Sequence, residues 1–399
     1  MSKIDDLIRK FCPDGVEYKS IKSLAEVGTG SSNGNEAQED GEYPFFIRSQ
    51  TVKRKNEWEY DEEAIIIPGE GGIGEIYHYV NGKYAIHQRV YRIHFIDDSV
   101  DVKFAYHYFR GFFKNFIMRK AVSATVKSIR KPMIEEFMLP VPPLEVQREI
   151  VHILDSFTLL TAELTAELTA RNKQYEFYRD NIIKKEQHIS EVKKLADVAN
   201  IYDSLHQTPS YSNSGYSMVR VQDIKGGYVD EDKTLKVDES VWNLFTQKYT
   251  PQLNDIVVSR VGSYGNFALI PNDKCCLGQN VALIHPNINP KYLYHVLMST
   301  MTKQWINNNV KGASQKSFSL ADIKRVPVPV PKDNIQQRIA EVLDNFESIC
   351  TDLNIGLPAE IEARQKQYEY YRDLFLTFAE TGSTLMTDRQ TDRQTDRQS

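Results

Sequence analysis

The chain has 399 residues, 41% hydrophobic and 26% charged, with a formal net charge of −5, long enough for two or three domains with buried cores. No run of 18 or more apolar residues occurs, so no transmembrane helix is expected, and the mixed-charge start MSKIDDLIRKF lacks the apolar core of a signal peptide. Four scattered cysteines (Cys12, Cys275, Cys276, Cys350) are too few for a disulfide framework, which points to a cytoplasmic protein with reduced thiols.

In chain order, a first globular part is expected over residues 1–144. Its apolar run Ala64-Ile65-Ile66-Ile67 precedes a Gly-x-x-Gly turn (Gly71, Gly74), and a helical stretch begins near Lys103-Phe104-Ala105-Tyr106-His107. Short β-branched runs beside one helical stretch predict mixed α and β structure. The Pro-rich exit MLPVPPLEVQ leads into a long helix over 145–185. There Ile150, Leu154, Phe157, Leu164, Leu168, Tyr175, Tyr178 and Ile182, with Thr161 and Arg171, alternate steps of four and three. That 3.5-residue period marks a coiled-coil seam, a rod of about 50 Å at 1.5 Å per residue. A second globular part follows over 186–333, with the runs DIVVSR and VALIHP and the exit VPVPVPKDNIQ. The second long helix, 334–380, places Ile339, Leu343, Phe346, Cys350 and Leu353 on its seam. It stops and restarts at Gly356-Leu357-Pro358 and resumes with Ile361, Tyr368, Tyr371 and Phe375. Residues 381–399 carry TDRQ three times, a low-complexity tail predicted to be disordered.

The two halves are a tandem repeat. EVQREIVHILDSF (145–157) returns as NIQQRIAEVLDNF (334–346), and RNKQYEFYRD (171–180) as RQKQYEYYRD (364–373). Weaker matches keep the same order: Ala64–Ile67 with Asp255–Val258, His87-Gln88-Arg89-Val90 with Gly278-Gln279-Asn280-Val281, and Lys103–His107 with Lys291–His295. Residues 28–63 and 199–254 barely match each other. The expected fold is therefore α+β: two similar α/β domains, separated by two long helices that pair as an antiparallel coiled coil. One scaffold bearing two different surfaces suits two different ligands or two different DNA half-sites.

The net acidity hides two basic territories, and local charge governs affinity for phosphate. Between Val102 and Ile134 lie eight Lys or Arg and no acid, and between Lys274 and Lys332 eight more against Asp322 alone. Lysines such as Lys127, Lys311 and Lys316, with Arg130, fit phosphate contacts, whereas Arg, Asn and Gln read base edges. The divergent segments supply such groups: Arg48, Gln50, Arg54 and Asn56 in one half, Gln207, Arg220 and Gln222 in the other. Arg260, beside the second Gly-x-x-Gly (Gly262, Gly265), is a further candidate.

Inside the first helix, Thr161 to Leu168 reads TAEL-TAEL. Together with the Pro-rich exit, the Q-R helix start, the L-D-x-F step and the closing K-Q-Y-E-x-Y-R-D, this resembles the specificity subunits of type I restriction–modification enzymes. The resemblance implies that each globular domain reads one half of a bipartite target on double-stranded DNA, while the helices set the spacer and dock partners. It implies two methyltransferase subunits, two restriction subunits, and AdoMet, ATP and Mg held by those partners, with no cofactor in this chain. A coiled-coil scaffold binding proteins rather than DNA, or a subunit serving methylation alone, are the alternatives.

No catalytic residue is predicted. Gly69-Glu70-Gly71-Gly72-Ile73-Gly74 fits a dinucleotide fingerprint only if a helix opens after it, and EIYHYV reads as a strand. Asn289-Pro290-Lys291-Tyr292 lacks the second proline of an adenine-methyltransferase loop and reads as a helix start. Asp14 with Glu17-Tyr18-Lys19 is spaced too tightly to surround a nuclease metal. The cysteines and histidines include no C-x-x-C or H-x-x-x-H pair, and adjacent Cys275 and Cys276 on a strand would face opposite ways.

Overall fold

A computed structural model describes residues 3–120, 128–225, 227–310, 317–351 and 356–381. The chain forms two compact units, one made of Met1–Leu164 and Ile361–Ser399, the other of Thr165–Glu360. No helix among the described residues is long and apolar enough to cross a membrane.

Unit 1 contains β1 (Tyr18–Ser20), β2 (Ala25–Thr29), β3 (Tyr43–Phe46), β4 (Lys53–Lys55), β5 (Tyr60–Pro68), β6 (His78–Ile86), β7 (Val90–Phe95) and β8 (Met138–Pro140). Six of them make a sheet in the order β2-β7-β5-β6-β3-β4, and β1 pairs with β8. The run Ala64–Ile67 does not alternate with polar residues because β5 is covered on both faces. Ile65 and Ile67 enter the main core, while Ala64 and Ile66 enter a smaller one behind the sheet. Helix α1 (Val102–Tyr108) starts where the Asp101 carboxylate accepts the Lys103 and Phe104 N–H groups, at 3.0 and 3.1 Å.

Unit 2 contains β9 (Glu191–Lys194), β10 (Ala199–Asp203), β11 (Tyr216–Val219), β12 (Leu235–Val237), β13 (Ile256–Ser259), β14 (Phe267–Leu269), β15 (Cys275–Leu277), β16 (Val281–Pro286) and β17 (Pro327–Val330). The sheet order β10-β16-β13-β14 repeats β2-β7-β5-β6, and β9 with β17 repeats β1 with β8. Ile256 and Val258 face one core and Val257 another, as their counterparts in β5 do. The segments that diverge in sequence keep the same pairings. β3 is antiparallel to β4 and parallel to the end of β6; β11 is antiparallel to β12 and parallel to β15. β6 thus does in one strand what β14 and β15 do in two. Cys275 and Cys276 on β15 do face different cores, and burial pushes both thiols up to about 12. Helix α2 spans Leu144–Ile189, α3 Pro290–Met298, α4 Asp333–Thr351 and α5 Leu357–Thr381. Asn289 caps α3, accepting the Tyr292 N–H at 2.9 Å, so Asn289-Pro290 is the helix start expected from sequence.

α2 has 46 residues, about 69 Å at 1.5 Å each, and runs past the expected 185 to Ile189. Its seam departs from the expected one beyond Tyr175: Arg179 and Ile183 are buried, whereas Tyr178 is 46% exposed and Ile182 half-buried. The reason is that this end of the helix packs into a globular core, with the Arg179 guanidinium over the Tyr175 ring at 5.3 Å. In unit 2, Tyr178 meets Phe346 while Tyr175 reaches Glu347, and the Arg171 charge reaches Cys350. Falling numbers on one helix meet rising numbers on the other, so these segments run antiparallel. In unit 1, Phe157 stacks on Tyr371 with ring centroids 5.3 Å apart.

The repeated motifs meet in one buried constellation per unit. In unit 1 the His107 ring, 1% exposed, contacts Asp155 through Nε2 at 2.9 Å and the Tyr368 hydroxyl through Nδ1 at 3.0 Å. Lys103 donates to the other Asp155 oxygen at 2.8 Å. In unit 2 His295 contacts Asp344 at 2.7 Å and Tyr175 at 3.0 Å, and Lys291 lies 3.5 Å from Asp344. Each set takes Lys and His from a globular helix, Asp from the L-D-x-F step of the helix that follows, and Tyr from the K-Q-Y-E motif of the other long helix. The glutamine of the Q-R start has an equally fixed duty. Buried Gln147 donates to Ser99 O and Pro142 O and accepts from Asp101 N; Gln336 donates to Pro331 O and accepts from Asn289 N.

Candidate nucleic-acid interface

Three loops in each unit gather at one end of the sheet: the loop after β2 or β10, the loop after β3 or β11, and the turn entering β7 or β16. The turns are built alike. His87 N–H donates to Phe46 O at 2.9 Å, and Gly278 N–H to Val219 O at 2.8 Å. Gly69 N–H donates to Arg89 O at 2.9 Å, and Arg260 N–H to Asn280 O at 2.8 Å. Gly30 lets the first loop of unit 1 pass against β6, since a Cβ there would sit 1.9 Å from the Ile86 carbonyl oxygen.

In unit 1 the exposed Gln88 Nε2 donates to Asn33 Oδ1 at 3.0 Å. Asn33 is itself held by the Glu36 carboxylate, which Lys55 meets at 2.6 Å. That lysine hydrogen bond is the main reason the Glu36 carboxyl stays below the usual range. Glu70 holds Arg89 at 2.8 Å and Arg48 at 3.1 Å, and Arg89 chiefly depresses its carboxyl. Burial, aided by these two cations, keeps His87 beneath the ordinary imidazole value.

In unit 2 an open groove of about 420 Å³ is lined by Thr208, Arg220, Gln222, Lys225, Gln279 and Asn280, among others. Exposed Gln279 donates to Thr208 Oγ1 at 3.3 Å. Arg220 is braced by both oxygens of Asp223 at 3.0 and 3.1 Å. Arg260 is pinned by Asp203 and the Phe318 carbonyl, and is 15% exposed.

The structure therefore brings Arg220 and Gln222 into one groove and sets Arg48 beside Arg89. Arg54 is occupied by the Gly41 and Glu42 carbonyls, and Asn56 accepts the Glu42 N–H at 3.2 Å, so both hold the segment entering β3 against the end of β4. Gln50 and Arg130 are exposed, and neither side chain makes a hydrogen bond or ion pair among the described residues. Gln207 is exposed on the loop after β10. Lys127, Lys311, Lys316 and the TDRQ tail lie outside the described residues. The basic stretches are partly spent inside the fold: Lys103 and Lys291 on the constellations, Lys114 on Glu75, Lys131 on Glu135. Sequence reasoning did not single out Gln88, Gln279, Asn33, Arg89 or Lys225, although His87–Val90 and Gly278–Val281 were visible as a repeat.

The Gly-rich segment is a turn, with φ of +74°, +60° and +65° at Gly71, Gly72 and Gly74, and it enters β6 rather than a helix. His295, Asp344 and Glu347 offer ligand atoms within 4.8 Å of one another. Those atoms are already engaged by Lys291 and by the Tyr175, Tyr228 and Tyr294 hydroxyls. A cation would have to displace these donors, which suits a hydrogen-bonded joint better than a metal centre.

The family model for the type I restriction modification DNA specificity domain matches residues 13–171 and again 189–363. The chain belongs to this family. It carries two specificity domains, each containing one of the three-loop ends described above. An Escherichia coli relative, the type I restriction enzyme EcoR124I/EcoR124II specificity subunit, is 36% identical over 60% of this chain and 61% of that protein. A Haemophilus influenzae protein named as a type I restriction enzyme specificity subunit is 27% identical over 91% of this chain and 96% of its own length. The crystal structure of the S subunit of an M. genitalium type I restriction–modification system shares the fold, with a TM-score of 0.54 at 15% identity, over 92% of this chain and 96% of that one.

Proposed function

We propose that this chain is the DNA-reading subunit of a type I restriction–modification complex and does no chemistry itself. The observation that carries the reading is the pairing of two nearly identical frameworks with two different loop sets at the same end of each sheet. In this reading each specificity domain reads its own half of a bipartite target. Arg48 and Arg89 in unit 1, and Arg220, Gln222 and Lys225 in unit 2, lie where a DNA groove would meet them. Arg130, with Lys127, Lys311 and Lys316, would contact phosphates. The family membership supports partners as well: methyltransferase subunits carrying AdoMet, and restriction subunits using ATP and Mg, two of each, in the cytoplasm. The repeated helices offer the methyltransferases two equivalent docking surfaces.

The test is an exchange of residues 28–63, or of 199–254, for those of a relative, followed by sequencing of methylated motifs in cells that also express the methyltransferase partner. One half-site should change while the other stays. Both halves changing together, or methyl transfer by the purified chain alone, would overturn the reading.

A further inference from the structure

We propose that Gln88 and Gln279 are a matched pair of specificity-determining residues, each reading an adenine edge in the major groove of its own half-site. The inference rests on the DNA-reading role proposed above. The two glutamines occupy equivalent places in the repeat, on turns fixed by the same backbone hydrogen bonds on both sides. Both side chains are exposed. Each spends one amide hydrogen on the loop after the first sheet strand: Gln88 on Asn33 at 3.0 Å, Gln279 on Thr208 at 3.3 Å.

What each amide keeps decides its use. A glutamine amide has two donors and a carbonyl acceptor. With one donor committed, the second N–H and the oxygen remain unpaired among the described residues. One donor beside one acceptor complements adenine, whose N7 accepts and N6 amino group donates. The committed bond also fixes the side chain in advance, lowering the entropy lost on binding. The glutamines that serve only the fold look different. Gln147 and Gln336 are 0% and 1% exposed, and Gln147 has its oxygen and both amide hydrogens engaged. A joint is buried and saturated; Gln88 and Gln279 are neither. Cationic neighbours complete each site, with Arg89 and Arg48 on Glu70 in unit 1 and Arg220 with Lys225 in unit 2.

The experiment compares wild type, Gln88→Ala, Gln279→Ala, Gln88→Glu and Gln279→Glu in cells expressing the methyltransferase partner, reading the methylated motif genome-wide. Thermal unfolding of each purified variant checks that the turn is intact. Gln88→Ala should relax one A·T position in one half-site, with about a tenfold or greater loss of discrimination there, and leave the other half unchanged. Gln279→Ala should do the same in the opposite half. The Glu variants, nearly the same shape but without the donors, should lose the same position. An unaltered motif, or weaker methylation of an unaltered motif, would overturn the proposal while leaving the DNA-reading role standing, whereas relaxation in both halves from one substitution would overturn both. A wild-type chain that directs no bipartite motif would overturn both.

Discussion

Replacing Asp155 by alanine should loosen unit 1 at its joint with the long helices. The substitution strips the partner from His107 Nε2, in a ring 1% exposed, and a buried polar group left unpaired costs about 1–3 kcal/mol. Lys103, 43% exposed at its side chain, can turn to water, so its lost ion pair adds little. A total near 2 kcal/mol corresponds to a fall of about 4–8 °C in Tm for a unit of this size. Asp155→Asn, which can still meet the ring but without charge, should lose less. Tyr368→Phe removes the other ring partner and should be coupled to Asp155→Ala rather than additive with it. Acid supplies a second readout. The His107 hydrogen bond, with Lys103, holds the Asp155 carboxyl down to about 2, and burial holds His107 below its ordinary value despite Asp155. Both groups bind fewer protons folded than unfolded, so stability rises with pH. The His107 contribution falls away as pH drops below about 6.5, and that of Asp155 between about 4 and 2. Calorimetry across this range should show the lowest-pH limb flattened in Asp155→Asn. A Tm change under about 1 °C in both Asp155→Ala and Tyr368→Phe would refute the claim that this constellation holds the unit together.

Two further outcomes are expected. The division between the units falls at Leu164 and Thr165, inside TAEL-TAEL; a third copy should add about 6 Å of helix and only ~40° of rotation, lengthening the unread spacer of the target by one or two base pairs. An unchanged spacer in the methylated motif would show that α2 does not set it. Gly30→Ala, which drives a Cβ onto the Ile86 carbonyl, should destabilise unit 1 by at least about 2 kcal/mol, seen as a lower Tm; full retention of Tm would mean the loop after β2 has room to move.

The repeat in the sequence revealed the helices, the framework strands and the domain order, because amphipathic period and motif recurrence are local signals. It did not reveal that the copies interleave. Lys103, His107, Asp155 and Tyr368 were each visible as repeated letters, yet nothing local says that Tyr368 serves the first half while Tyr175 serves the second. The same gap misled the seam, where Arg179 rather than Tyr178 turns inward, since a globular core and not a helix partner sets burial there. Arg54 and Asn56 had the chemistry of base readers, but Gly41 lies so near β4 that a Cβ there would sit 2.4 Å from Lys55 N, and both side chains are captured by the backbone of Gly41 and Glu42. Gln88 and Gln279 failed to stand out for the opposite reason: they sit in the repeated framework, whereas readers of two different half-sites are expected where the halves differ.

The interleaving has a consequence for connectivity. Ile4 and Ile8, from a short helix at Lys3–Phe11, share a core with Leu374, Phe375 and Phe378 near the end of α5, so unit 1 is closed by segments from opposite ends of the sequence. In unit 2 the equivalent junction, from Ile189 to Glu191, is a continuous peptide. Each unit thus requires certain segments to meet and is indifferent to the order in which the backbone links them. A circular permutant joined between the old ends and opened near Ser190 would keep every constellation contact, with the roles of the two units exchanged along the chain.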